Sequence, residues 1–89
     1  MEIKTKYNLG DKIWIVYEAN LPNNQPSGEL NIYDDTITEI IMTKDGIIYV
    51  PEIGYEEVKE EDVILYNDKQ KLTETIYKKM QKINERDGI

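Results

Sequence analysis

Acidic side chains are the most concentrated chemical groups in this sequence. Carboxylates in a cluster can hold Ca²⁺ or Mg²⁺, share protons in acid–base chemistry, or imitate the phosphates of a nucleic acid toward a basic partner. A solvated strand edge that is protected by charge gives the same pattern. Six acids fall within the eleven residues 52–62, and they are Glu52, Glu56, Glu57, Glu60, Glu61 and Asp62.

The remaining composition argues against a metal site and against catalysis. The chain has no histidine and no cysteine, and Ser27 is its only serine, so the usual zinc sites, Cys–His pairs and Ser-His-Asp triads are excluded. The acidic run lacks the ligand spacing of an EF-hand, and Glu29 with Asp34 and Asp35 reads more simply as turn residues before a strand. We therefore expect a non-enzymatic protein with no metal and no cofactor.

Tyrosine is the second unusual component. The chain has seven tyrosines and one tryptophan but no phenylalanine. A tyrosine ring combines an apolar face with a polar tip, a combination typical of binding surfaces. Tyrosines that replace phenylalanine in a half-exposed sheet are the alternative. The residues expected beside a groove are Tyr17, Tyr33, Tyr49 and Tyr55.

The charge balance limits the partners. The net charge is −7 and Arg86 is the only arginine, which disfavours nucleic acid and anionic membranes unless the few lysines are segregated on one surface. Residues 1–6 lack the apolar run of a signal peptide, and no stretch reaches the ~20 apolar residues of a membrane span. These features predict a soluble, cytoplasmic protein whose partner is another protein, with a basic surface.

Apolar residues and turn signals predict a β-rich chain. Residues 13–17 are β-branched or aromatic and predict a first strand. Asp45-Gly46 between the β-rich runs 36–43 and 47–50 predicts a hairpin, because glycine accepts a positive φ. Residues 19–35 carry two prolines and a glycine and predict a long loop, part of which packs or pairs around Leu30 and Tyr33. Short strands are expected at 55–58 and 63–66.

The last quarter of the chain predicts one helix. Asn67 is the expected N-cap, and apolar residues then recur every three or four positions. The cations near the end of this segment suit the C-terminal dipole of a helix. The apolar stripe either covers one end of the β domain or, with Tyr77, forms a homodimer contact. Its members are Leu72, Ile76, Met80 and Ile83.

Three stretches carry a resemblance to a known group of proteins. They are Leu9-Gly10-Asp11-Lys12-Ile13-Trp14-Ile15-Val16, then Thr38-Glu39-Ile40 with Asp45-Gly46-Ile47-Ile48-Tyr49, and finally Tyr55-Glu56-Glu57-Val58-Lys59-Glu60-Glu61-Asp62-Val63. Over about residues 9–66 the chain resembles short, unassigned SH3-like or KOW-like small-barrel proteins of Firmicutes and their phages.

This resemblance implies a fold and a setting. The expected fold is mainly β within an α+β protein, a small SH3-like antiparallel barrel of about five strands over residues 1–66. One C-terminal helix over 67–87 completes a single domain of residues 1–89. The chain departs from the pattern in its longer 19–35 segment and in being acidic, whereas KOW-type nucleic-acid binders are basic. The resemblance supplies no catalytic residue.

Two functions follow as hypotheses. The first is a non-enzymatic protein-interaction module, such as a phage or mobile-element inhibitor or regulator that acts through its acidic surface. The alternative is a protein that binds or sequesters a small ligand such as a nucleotide, with Trp14 or a tyrosine stacking on the base and Lys44 or Arg86 meeting the phosphate. A housekeeping structural protein fits the same composition.

Overall fold

A computed structural model of the protein describes residues 4–54 and 57–86. It shows five antiparallel strands in the order β4-β3-β2-β1-β5, followed by one helix, as the sequence predicts. The elements are β1 (Lys12–Asn20), β2 (Pro26–Thr43), β3 (Gly46–Pro51), β4 (Val58–Lys59), a one-turn 3₁₀ helix (Glu60–Asp62), β5 (Ile64–Leu65) and α1 (Lys69–Arg86).

The sheet does not close into the expected barrel within the described residues. The strands β4 and β5 form its two edges, and the 3₁₀ helix lies between them in sequence. Each of these edge strands has only two residues, and β5 pairs with β1 at Ile13 and Trp14 alone. Strands this short offer too few main-chain groups for a continuous seam. Strand β5 thus covers the edge of β1 only at Ile13 and Trp14, and the rest of β1 lies beside α1.

The long loop predicted at residues 19–35 is wrong. That stretch is mostly sheet, because β1 and β2 pair from Lys12↔Thr36 to Asn20↔Pro26. The turn signals of Pro22 and Asn24 act only within the short connection 21–25, where Asn24 takes a φ of 64°. Leu30 and Tyr33 lie within the strand, since cross-strand pairing with β1 outweighs the weak strand propensity of the residues around them.

The predicted Asp45-Gly46 hairpin is confirmed. Strands β2 and β3 pair from Thr43↔Gly46 to Ile37↔Pro51, and Gly46 has a φ of 135°, which side chains larger than hydrogen rarely allow. A register shift between Ile37 and Glu39 interrupts this ladder. The single strand β2 thus pairs with β1 along its first half and with β3 along its second half.

The core lies on one face of the sheet and contains residues of β1, β2 and β3 together with Tyr7 and Val63. Its fully buried members come from different elements, and the Tyr7 and Tyr49 rings meet edge to face with centroids 5.4 Å apart. The Tyr49 hydroxyl donates to Glu60 Oε2 at 2.6 Å and accepts from the Tyr7 amide at 3.2 Å. The core residues are Tyr7, Ile13, Ile37, Tyr49 and Val63.

The helix begins at Lys69, two residues after the predicted start at 67. Asp68, and not Asn67, is the N-cap, because its Oδ1 accepts from the Lys71 amide at 3.1 Å. Gln70 donates to Glu74 and does not complete a capping box. The helix packs against β1 and β2. Among the described residues, no helix is long and apolar enough to cross a membrane.

Candidate functional site

An open groove of about 900 Å³ lies between the sheet and α1. Its volume falls within the range of ligand-binding clefts in proteins. Its floor is the part of the β1–β2 face that the core leaves uncovered, and one wall is α1. The other wall, called here the segment wall, is formed by the described residues of 51–54 and 57–62. The structure therefore points to a surface cleft, and not to an enclosed cavity, as the place where this fold can hold another molecule.

Two tyrosines form the floor of the groove. Ile15 pairs with Tyr33 across β1 and β2, and Tyr17 is two residues along β1, so Tyr17 and Tyr33 share one face of the sheet. Their rings meet edge to face at 5.9 Å and 86°. Both side chains are half-buried and line the groove.

A buried carboxylate fixes the first part of the segment wall. Asp35 is only 3% exposed, and its oxygens accept from the amides of Ile53 at 3.2 Å and Gly54 at 3.0 Å. Gly54 approaches Tyr33 so closely that a Cβ at this position would lie 2.6 Å from the Tyr33 hydroxyl oxygen. Asp35 thus positions the segment against the tyrosine floor.

The same contacts leave an apolar side chain in solvent. Ile53, adjacent to Gly54, lines the groove and is 68% exposed. A side chain of this size that the fold leaves uncovered is available to a partner.

The helix wall is fixed at both ends. Near its start, the Lys71 ammonium donates to the main-chain oxygens of Val63 at 2.6 Å and Glu61 at 3.1 Å. At its end, Arg86 makes two hydrogen bonds to the Glu18 carboxylate, at 2.7 and 2.6 Å. The Arg86 guanidinium lowers the pKa of Glu18 to about 2, with the Gly28 amide as a second donor. Both end cations are thus used to hold the helix in place.

Three further lysines lie on this wall between the two end contacts. Lys78, Lys79 and Lys82 line the groove, and within the described residues their ammonium groups make neither an ion pair nor a hydrogen bond. We call these three residues the lysine wall. These cations are segregated on one surface although the net charge of the chain is −7.

The predicted acidic run divides into parts with different roles. Glu57, Glu61 and Asp62 are exposed and line the groove, and we call them the acidic wall. Glu60 instead accepts from Tyr49 and from the Lys6 amide, and these bonds lower its pKa. Glu52 is exposed but does not line the groove, and Glu56 lies outside the described residues.

Of the other predicted aromatic residues, Trp14 lines the groove and Tyr49 does not. Tyr49 is fully buried, so its expected place on a binding surface is wrong, and burial together with its bond to Glu60 raises its pKa. Tyr55 lies outside the described residues. Trp14 stacks on Tyr66 with ring centroids 4.9 Å apart.

The acids considered for a cation site are separated by their contacts. Asp34 forms an exposed ion pair with Lys12 at 3.2 Å, while Asp35 binds main-chain amides. In the described part of the chain, no group of three or more acidic side chains is placed to hold a metal ion.

The apolar stripe of α1 is also divided. Ile83 is 7% exposed and Leu72 and Ile76 are half-buried, whereas Met80 is 43% exposed and Tyr77 is 65% exposed. Most of the stripe therefore packs within the molecule, as expected if it covers part of the β domain. The homodimer through this face stays a prediction.

The lysine wall is the feature that sequence reasoning missed. The helix dipole explains why lysines occur near the end of α1 but not why they lie on one side of the helix. The signal was present, because Lys71, Lys78 and Lys82 are separated by seven and four residues and so share one helical face.

Comparisons with protein-family models, curated proteins and solved structures gave no match. The function must therefore be inferred from the groove itself.

Proposed function

We propose that this protein is a non-enzymatic protein-interaction module that holds a segment of a partner protein in the groove. The observation that carries the proposal is the tyrosine floor, where Tyr17 and Tyr33 form an edge-to-face pair that the fold covers only in part. Ile53 adds exposed apolar surface beside them. Aromatic anchors within a polar rim are the usual composition of protein interfaces.

The contacts of the groove also support a preformed site. Asp35 fixes the segment wall, and Lys71 and Arg86 fix the helix wall, so a partner need not order these elements when it binds. Such preorganisation reduces the entropic cost of association. The acidic surface expected from the sequence enters this proposal as one wall of the groove and not as an isolated patch.

The alternative, a nucleotide-binding protein, has weaker support from the geometry. Of the residues proposed for it, Trp14 lines the groove but stacks on Tyr66, Arg86 binds Glu18, and Lys44 lies in the β2–β3 turn away from the groove. The carboxylates of Glu57, Glu61, Asp62 and Glu74 equal the lysines that line the groove in number. They would repel a phosphate that approached the lysine wall.

Affinity capture with matched variants tests the proposal. The baits are the wild-type protein, a groove variant with Tyr17→Ser and Ile53→Ser, and a control variant, Tyr77→Ser, which removes an exposed ring outside the groove. We expect wild type and control to capture the same protein from bacterial lysate and the groove variant to lose it. Retention by the groove variant, with its fold verified by circular dichroism, would refute the proposal.

The biological role of such a module is a separate matter. Inhibition or regulation of a host protein, as expected from the resemblance to phage proteins, stays a prediction. If the captured partner is an enzyme, assaying it with and without the wild-type protein decides between inhibition and simple binding.

A further inference from the structure

The two walls of the groove differ in net charge, because α1 contributes four lysines and one acid, Glu74, to the lining, whereas the segment 57–62 contributes three acids and no base. The lysine wall belongs to α1, and the acidic wall belongs to the segment 57–62, with the tyrosine floor between them. The walls meet at one end, where Lys71 binds the main-chain oxygen of Glu61. A uniformly acidic or uniformly basic ligand would therefore be attracted by one wall and repelled by the other.

The spacing of the lysines is a second constraint. Lys78 and Lys82 are four residues apart on a helix, which corresponds to about 6 Å along its axis. In an extended chain, residues i and i+2 point to the same side and are separated by about 6.6 Å. Two acidic residues at alternate positions of an extended segment thus match these two lysines.

The residue between them supplies the remaining charge. In an extended segment, residue i+1 points to the side opposite residues i and i+2. If the acids at i and i+2 face the lysine wall, the residue at i+1 faces Glu57, Glu61 and Asp62 and is complementary when it is basic. One strand with alternating charge then satisfies both walls, which neither a charge block nor a single phosphate can do.

We propose that the groove recognises an extended partner segment with the pattern acid-base-acid, whose acids pair with Lys78 and Lys82 and whose central base pairs with the acidic wall. This inference rests on the proposed function, because it specifies the segment that the groove holds. The row from Lys71 to Lys82 extends over about 16 Å, long enough for about five extended residues. The lysines would add specificity and the tyrosine floor would add contact area.

Two peptides of identical composition test the inference. The first is Gly-Glu-Lys-Glu-Lys-Glu-Gly and the second is its block isomer Gly-Glu-Glu-Glu-Lys-Lys-Gly, both with blocked ends. Each is titrated into ¹⁵N-labelled full chain while the amide signals of Tyr17, Glu61, Lys78 and Lys82 are followed. We expect the alternating peptide to shift these signals and to bind at least about fivefold more tightly than the block isomer.

A charge-reversed variant with a matched control completes the test. Lys78→Glu should weaken the alternating peptide about fivefold or more, whereas Lys44→Glu, which changes the net charge equally but lies in the β2–β3 turn, should leave its affinity unchanged. Equal affinity for both isomers, no shift of the groove amides up to millimolar peptide, or equal effects of the two variants would overturn the inference.

The outcomes separate the inference from the function on which it rests. If the partner is lost from the Tyr17→Ser and Ile53→Ser groove variant but its bound segment lacks alternating charge, the acid-base-acid pattern is wrong and the interaction module stands. If that variant retains the partner, the module proposal is wrong whatever the peptides show. A single-stranded oligonucleotide that displaces the alternating peptide at lower concentration would likewise overturn the inference.

Discussion

Within residues 4–54 and 57–86 there are two edge-to-face tyrosine pairs, and they differ in what surrounds them. Tyr7 and Tyr49 meet at 5.4 Å and 74°, and Tyr17 and Tyr33 meet at 5.9 Å and 86°. The first pair is buried, with the Tyr49 hydroxyl bound to Glu60, whereas the second forms a half-exposed floor under an open groove. Ring geometry alone therefore does not distinguish a core pair from a pair that faces an open groove, whereas the burial of each pair does.

Truncation of the two pairs should give the largest contrast. Tyr49→Ala removes a fully buried ring, and we expect a loss of about 3–5 kcal/mol in the free energy of unfolding. Tyr17→Ala removes a half-buried ring and should cost about 1 kcal/mol. Urea unfolding followed by Trp14 fluorescence measures both. Equal losses would show that the tyrosine floor belongs to the core.

The next largest effect on stability is expected at Asp35, which lies between the core and the groove. Asp35→Ala leaves the partly buried amides of Ile53 and Gly54 without their acceptor, and we expect a loss of about 2–3 kcal/mol. Hydrogen exchange of these two amides should become faster. The matched control is Asp34→Ala, which breaks an exposed pair with Lys12 and should cost about 0–1 kcal/mol. Similar losses for the two variants would contradict the positioning role of Asp35.

Removal of one hydroxyl tests what distinguishes the core pair. Tyr49→Phe keeps the ring but loses the bond to Glu60, at an expected cost of about 1–2 kcal/mol at neutral pH. The raised pKa of Tyr49 means that above about pH 10 the unfolded chain loses this proton before the folded protein does, so stability falls as the pH rises further. This alkaline loss should be smaller in Tyr49→Phe. An unchanged alkaline slope would contradict the assignment.

The smallest effect on stability is expected at the end of α1, the helix wall of the groove, and it should be visible at acidic pH. Because Arg86 lowers the pKa of Glu18 from 4.5 to about 2, the contribution of this pair is complete above about pH 4.5 and is lost as the pH falls toward 2. Glu18→Gln should flatten the stability profile within this window, as measured by thermal unfolding. Glu29→Gln, an exposed acid on β2, is the control and should retain the slope.

The sequence predicted those elements of the fold that a few adjacent residues determine. The run Ile13–Tyr17 and the turn at Asp45-Gly46 specify a strand and a hairpin from a few adjacent residues, and both are present. The loop expected at 19–35 was wrong because its prolines and asparagines suggested a break that pairing with β1 overrides. Closure of the barrel was wrong because β4 and β5 are shorter than their sequence runs suggested.

The site depended on contacts that sequence order does not reveal. Asp35 binds amides 18 and 19 residues away, and Arg86 binds Glu18 across 68 residues. Nothing in a single sequence states which of many acids will meet which cation. Helical spacing could have grouped the lysines on one face, but only the fold shows that these lysines line the same groove as Glu57 and Glu61.

The ion pair between Arg86 and Glu18 also sets an order of assembly during protein synthesis. Chains emerge from the ribosome N-terminus first, so β1 and both floor tyrosines are available for folding well before the last turn of α1. Until Arg86 emerges and reaches Glu18, the helix wall beside the tyrosine floor is held only at its Lys71 end. The nascent chain therefore exposes the tyrosine floor before the last turn of α1 is available to border it.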